Sequence, residues 1–484
     1  MNNKIKHIVV LVCISIFYSS CDSVDFGNTN NDPSGPTEAI TSQLLTGAQS
    51  SIPSDIITST KGILFMQHLT EGQYPGDSRY TSLTASYNDF YTGPIQNLNE
   101  IIKINSDEVL KVDAAIYGDN DNQIAVAMLL RAYYLQFLTD RWGALPWTEA
   151  FQGISFPKPK FNTQEELYDI MFAEVEEALA LINTSNSGPS GDVILGGDMD
   201  RWIMFANTLK MVMALRISDA NPSLAKTKFE ETVASGQLIM SNDDNILYTY
   251  GADDVSDSPW ADRYKTREDF ILSVTLVESL RTNLDPRLFE YGEPARDSIS
   301  PVVLFPGGID EPYVGAPNGK VNGDVPNYSF PPATIIYTPD APTPIYTSAQ
   351  VKFSLAEAAL KGWNVGSGTT ASLFKEGIED SMEYWGVSTD DIDDYTAAHT
   401  SATLTDIAYE KWVALYLNGP ELWAEWRRLD LPALTPSANA AIATIPVRDA
   451  YDSSVEDNNK ANYDAINAIQ GPDTRYTKLW WDVN

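Results

Sequence analysis

The chain has 484 residues, 32 basic against 66 acidic side chains and a formal net charge of −34. So negative a surface repels phosphate backbones, which excludes nucleic acid as a partner and disfavours anionic membrane surfaces. A hydrophobic content of 43% is enough for a folded body, and no linker-like stretch after residue 36 is long enough to divide it, so one continuous domain is expected over residues 37–484.

The chain opens with Lys4 and Lys6, an apolar run over residues 8–18, and then Ser19, Ser20 and Cys21, with no acid before Asp22. About eleven apolar residues make roughly 16 Å of helix, too short for a bilayer core of about 30 Å, so residues 1–20 read as a secretory signal peptide. The segment resembles a bacterial lipobox in which Cys21 becomes the lipidated first residue, although Tyr18 stands where Leu is usual. An ordinary leader with an incidental cysteine is the alternative. The only other cysteine, Cys13, lies inside the leader, so a mature chain has one Cys and no partner for it; lipidation accounts for that odd thiol. Loss of Lys4 and Lys6 with the leader takes the net charge to −36. Residues 21–36, DSVDFGNTNNDPSGP after the cysteine, are poor in large apolar groups and read as a flexible tether.

Helical signals follow. Over 122–142, Ile124, Met128, Leu135, Leu138 and Trp142 form one stripe and Val126, Leu130, Tyr133 and Phe137 the opposite one, which predicts a helix sandwiched between neighbours. Thr163 with Glu166 three residues on is a capping box that opens a surface helix over 165–182. Further helices are expected over 200–218, 226–235, 270–280, 350–362, 370–385 and 405–418. The last is expected to end at Asn418-Gly419-Pro420 with Gly419 in the left-handed closing position. Similar lengths and apolar faces suggest stacked helix pairs, without strict repetition at 34 residues. Residues 292–344 are dense in Pro and Gly and read as a loop-rich insertion.

Catalytic motifs are scarce. Of the three His, His7 lies in the leader, and His68 and His399 have neither HExxH spacing nor a CxxC pair beside them; no metal site, cofactor or phosphate loop is expected. With 66 carboxylates, any one acid pair is uninformative about glycosidase chemistry. The runs Asp253-Asp254 and 390–394 read as solvated acidic loops without EF-hand spacing.

Aromatic content points toward binding. Eleven Trp and 24 Tyr outnumber 17 Phe, favouring rings that also carry a polar handle. The candidate ligand-binding residues are loop aromatics with polar neighbours: Tyr74, Arg79, Tyr80 and Tyr87; Trp260, Arg263 and Tyr264; and Tyr313 or Tyr328 in the long loop. Such rings suit stacking on sugar faces, with hydrogen bonds at the edge. Trp423, Trp426, Arg427 and Arg428 read instead as a buried ring-and-guanidinium stack.

Several phrases resemble the SusD/RagB family, in particular its SusD-like branch. Residues 134–153 (YLQFLTDRWGALPWTEAFQG) are similar to the family's D-x-[YW]-G-x-[IL]-P-[YW] element, and 201–218 to its R-W-x-x-F-A-N-x-L helix ending in R-I-S. Asp285-Pro286-Arg287, AQVKFSLAEAALKG at 349–362 with Gln350 in place of the usual Glu, and KWVALYLNGPELWAEWRRLDLP at 411–432 follow in order. Ile445-Pro446-Val447-Arg448, Tyr451, Asn458, Asn459 and Trp480-Trp481-Asp482 close the series. Asp22 and Asp25 are similar to the acidic surface-export signals of Bacteroidetes lipoproteins. The resemblance implies a mainly α fold, a right-handed superhelix of TPR-like helix pairs with an irregular, loop-rich ligand-binding lobe. It further implies a lipid-anchored outer-membrane protein facing the exterior and lacking catalytic activity. Such a protein captures a glycan or oligosaccharide and passes it to a SusC-type TonB-dependent transporter. An uptake lid for peptides or another nutrient with little binding of its own, and a surface glycan hydrolase, are the alternatives.

Overall fold

The computed structural model describes residues 39–82, 84–297, 303–304 and 310–484. Cys21, the leader and the tether, with residues 298–302 and 305–309 of the long loop, lie outside the described residues.

Helices dominate and pack as sequence-adjacent pairs. The first ones are α1 (Thr41–Ser50), α2 (Thr60–Phe65), α3 (Gln96–Ser106), α4 (Asn120–Trp142) and α5 (Gln164–Leu181). Helix α3 packs on α1 and α4, and α4 on α5. The two apolar stripes of α4 are both covered, as expected for a central helix: Leu130, Leu135, Leu138 and Trp142 have no exposed surface. Asp119 caps α4 by accepting the amides of Asp121 and Asn122, and the Thr163–Glu166 capping box opens α5. Next come α6 (Met199–Arg216) and α7 (Pro222–Ser235), paired with each other. Near the C-terminal end, α10 (Ser348–Leu360) packs on α11 (Thr370–Trp385) and α12 (Leu404–Ala414), and α13 (Gly419–Leu429) lies against α2. The closing helix, α14 (Ser453–Gln470), is one the sequence reading missed. Among the described residues no helix is long and apolar enough to cross a membrane.

A second core carries the loops. Ile63, Leu64, Phe65, Met66, Leu69, Trp260, Leu272, Leu288, Tyr313, Phe330, Trp412 and Trp423 form a hydrophobic cluster separate from the helical one. Two short antiparallel pairings clip loops onto the two cores, the first onto this one and the second onto the helical one. Strand β1 (Leu69–Glu71) pairs with β3 (Phe270–Leu272), with Leu69 opposite Leu272, and β2 (Ile246–Tyr248) pairs with β4 (Thr343–Tyr346). The short helices α8 (Pro259–Tyr264) and α9 (Val274–Thr282) sit in this lobe.

Three local expectations are corrected. Residues 270–280 split into β3 and α9, because Phe270–Leu272 find a strand partner and Ser273 then caps the new helix. The acidic run 390–394 is helical, within Thr389–Ala398, with Ser388 as cap and Asp390 and Asp391 in the first turn, where the helix dipole favours acids. Helix α12 ends early, at Ala414, and Gly419 opens α13 rather than closing α12. The positive φ in that turn belongs to Leu417, at 65°.

One buried group sets a pH dependence. The His68 ring is fully buried, edge-on to Trp412 at a centroid distance of 4.5 Å. Burial pushes its pKa down to about 3. In acid the unfolded chain then binds a proton that the folded chain refuses, so this contribution is complete above about pH 6.5 and declines as pH falls toward 3. Replacing it by an apolar residue, His68→Leu, should make the protein less acid-sensitive. Relative to pH 7.5, the wild type should lose about 2 kcal/mol more than the variant by pH 5, measured as the difference between their urea midpoints; parallel curves would contradict this.

Candidate functional site

Several of the family-like phrases lie in buried charged clusters. Arg428 on α13 makes a two-pronged bond to Glu357 on α10, Nη1 and Nη2 each donating at 2.6 Å, and Nη2 also donates to Glu425 at 2.8 Å. Lys411 on α12 reaches Glu425 at 2.7 Å, and Arg216 at the end of α6 reaches Glu421 at 2.6 Å. The Arg427 guanidinium lies 4.0 Å from the Trp423 ring centroid and 5.0 Å from that of Trp481. Arg287 of the Asp-Pro-Arg element is fully buried and bonds Asp285, Glu410 and Ser381. Trp481 donates to Asp140 at 2.8 Å. These side chains join distant helices and are mostly buried, with Glu421 partly covered. Their role is architectural, as read from the sequence for Trp423, Arg427 and Arg428, while Trp426 is only partly buried.

The candidate ligand residues divide sharply. Tyr80, Tyr87, Trp260, Tyr264 and Tyr313 are buried, which corrects the expectation of exposed loop rings: each pins its own loop to a core. The Tyr80 hydroxyl accepts from the Ser437 amide, and its ring meets Phe65 edge-on. Tyr87 packs against Trp142. Tyr264 donates to the Phe270 carbonyl at 2.6 Å, and Trp260 lies beneath the half-buried Arg263 guanidinium at 4.7 Å. The Tyr313 carbonyl accepts from Arg281, and its ring sits against Phe289. Arg79 is partly buried and ties the Gly319 carbonyl at 2.6 Å. Tyr328 is partly buried against the second core.

Tyr74 is the exception, with 68% of its surface exposed. It stands just after β1, and pairing of β1 with β3 brings it to residues 267–269, where the Gly72 amide donates to the Asp269 carbonyl. The Arg267 guanidinium lies 5.4 Å from the Tyr74 ring and bonds Asp269 at 2.8 Å. The next residue, Glu268, accepts from Arg296 at 2.7 Å and from the Tyr337 hydroxyl at 3.1 Å. Tyr337 is itself 54% exposed, with its ring edge on Tyr264. Two solvent-facing tyrosines thus stand beside two charge pairs drawn from residues 267–269, Tyr74 at Arg267–Asp269 and Tyr337 at Glu268–Arg296. Sequence reasoning missed Arg267, Glu268, Arg296 and Tyr337. The available signal was the Arg-Glu-Asp triplet directly before a strand, because such a triplet at a strand end faces solvent.

Chemically this platform offers two ring faces, guanidinium donors and carboxylate acceptors, with each charge already neutralised by a neighbour. That arrangement suits stacking and hydrogen bonding to a neutral polyhydroxylated ligand better than capture of an ion. Among the described residues no group of three or more His, Cys, Asp or Glu side chains could hold a metal.

Fold and platform together define a helical-repeat protein with a loop-rich lobe bearing its exposed aromatic surface. The sequence matches, over residues 31–452, the SusD-like family described as "Starch-binding associating with outer membrane", and the chain belongs to that family. Its fold is the family's superhelix of TPR-like helix pairs. A solved structure described as a chitin-binding protein is similar at a TM-score of 0.78 and 26% identity, covering 92% of this chain and 100% of that one. A SusD homologue from Bacteroides fragilis aligns at a TM-score of 0.76 and 22% identity, over 92% of this chain and 100% of that one. A chitin-binding SusD homologue from Flavobacterium johnsoniae aligns at 0.69 and 23%, over 92% and 96% respectively. No curated protein matches the chain.

Proposed function

We propose that this protein is a non-catalytic glycan-binding lipoprotein of the outer membrane. It captures an oligosaccharide on the Tyr74–Tyr337 face of the loop lobe and delivers it to a SusC-type TonB-dependent transporter. Cys21 carries the lipid, and residues 21–36 hold the body off the outer surface of the membrane. The observation that carries this reading is the pair of exposed tyrosines beside neighbouring charges, Tyr74 at Arg267 and Tyr337 at the adjacent Glu268. Membership of a family described as starch-binding, and likeness to chitin-binding relatives, support a glycan as the cargo class.

The ring faces are exposed, so removing them leaves the fold intact and tests binding alone. Tyr74→Ala and Tyr337→Ala should each weaken oligosaccharide affinity about tenfold, or about 1.4 kcal/mol. The check is titration calorimetry with α-1,4-linked glucose and β-1,4-linked N-acetylglucosamine oligomers. An affinity left unchanged by the double variant would place the ligand elsewhere and overturn the assignment of this face.

A further inference from the structure

Far from the platform in sequence, the segment joining α3 to α4 shows an apolar ridge to solvent. Val109, Val112 and Ile116 are 77%, 67% and 74% exposed. They recur at i, i+3 and i+7 through the helical turns Leu110–Ala114 and Ala115–Tyr117, so they share one face. Leu110 adds a fourth exposed apolar side chain. Single exposed aliphatics are ordinary, but a contiguous row of them marks a contact surface.

The backbone beneath the ridge is held firmly. Asp107 caps it by accepting the amides of Val109 and Leu110. The buried Gln123 amide donates to the carbonyls of Ala114 at 3.0 Å and Gly118 at 2.8 Å, and Asn120 donates to that of Lys111 at 3.0 Å. The Ser190 amide donates to the Tyr117 carbonyl at 2.7 Å. Rigid presentation lowers the ordering cost of binding.

Charge selects among occupants. Lys111 is paired with Glu108 and Lys103 with Glu100, while Asp107, Asp113 and Asp121 form no salt bridge among the described residues. The ridge therefore has an acidic rim. A second copy of so acidic a chain, or a phosphate-bearing lipid surface, would meet this rim with like charge. We infer that Val109, Val112 and Ile116 form a docking ridge for a protein surface offering an apolar socket rimmed by Lys and Arg. On the uptake reading, upon which this proposal rests, that surface belongs to the transporter.

The test purifies full-length, lipidated wild type and V109S/V112S/I116S from outer membranes in mild detergent, and measures β-barrel transporter peptides per mole of bait. The wild type should recover a TonB-dependent transporter near one to one, with recovery falling as salt rises. The variant should lose at least tenfold while keeping its thermal midpoint and oligosaccharide affinity. Equal recovery by both forms would overturn the ridge and leave the uptake reading standing. A wild type that recovers no transporter would overturn both. Sedimentation showing a dimer that the variant dissolves would place a second copy on the ridge, and flotation of wild type alone with phosphatidylglycerol vesicles would place lipid there; either outcome contradicts the proposal.

Discussion

Arg428→Met should destabilise the protein by about 3–5 kcal/mol, because it strands Glu357 with no remaining cation within hydrogen-bonding distance. Glu357 is fully buried, and its two oxygens each accept from Arg428. Lys361 approaches it only to 4.0 Å. The loss should spread to Glu425. Burial alone would raise the pKa of that carboxyl, and Arg428, Lys411 and Arg216 outweigh it to hold the group well below the usual range. A carboxyl depressed in the folded state stabilises above its ordinary pKa and loses that contribution as pH falls, so removing Arg428 should also flatten the acid limb of the stability curve. Urea titrations at pH 7.5 and 4.5 check both effects. Adding Glu357→Leu to Arg428→Met should recover part of the loss, since an apolar pair replaces a lone buried charge. A single variant as stable as wild type would show that the network is not what joins α10 to α13.

Gly62→Ala should cost about 3 kcal/mol, near the upper end of overpacking effects, because the added Cβ meets backbone and not a movable side chain. At this crossing α2 lies against the start of α13, and a Cβ on Gly62 would overlap the Gly419 carbonyl. The reciprocal substitution, Gly419→Ala, would bring a Cβ within 2.5 Å of the Ser59 carbonyl oxygen and 2.8 Å of the Ile63 amide nitrogen. Neither glycine has a positive φ, so the requirement is close approach and not backbone conformation. Ile63, Phe65, Trp412 and Trp423 belong to the core beside this crossing, so the near-ultraviolet dichroism of its tryptophans should change together with the urea midpoint. A substitution tolerated within 0.5 kcal/mol would contradict this account of the crossing.

Helix α4 was legible in the sequence because two apolar stripes at helical spacing admit no half-exposed placement, and α5 because Thr163 and Glu166 satisfy each other across its first turn. The buried role of the Trp-Ala-Glu-Trp-Arg-Arg segment, residues 423–428, was legible because so many rings and guanidinia in an acidic chain find carboxylate partners. Gly419 was misread, since Asn-Gly-Pro serves equally as a stop and as the start of a proline-opened helix. Its place in the fold is a close approach to Gly62, far away in sequence. Binding residues were hardest to read. Tyr80, Trp260 and Tyr264 share the local composition of Tyr74, and contacts distant in sequence, such as that of Tyr80 with Ser437, decide which ring faces water. Tyr337 gave no local signal at all, because its partner Glu268 is distant in sequence.

The central claim, capture of a glycan without turnover, is tested most directly by titrating the mature wild-type protein with glucose and N-acetylglucosamine oligosaccharides and assaying the same mixtures for new reducing ends. The account predicts saturable binding of at least one oligomer, weakened by Tyr74→Ala and Tyr337→Ala, with the oligomer recovered intact. Release of shorter sugars at a rate that depends on the protein would contradict it, as would failure to bind any glycan alongside saturable binding of peptides.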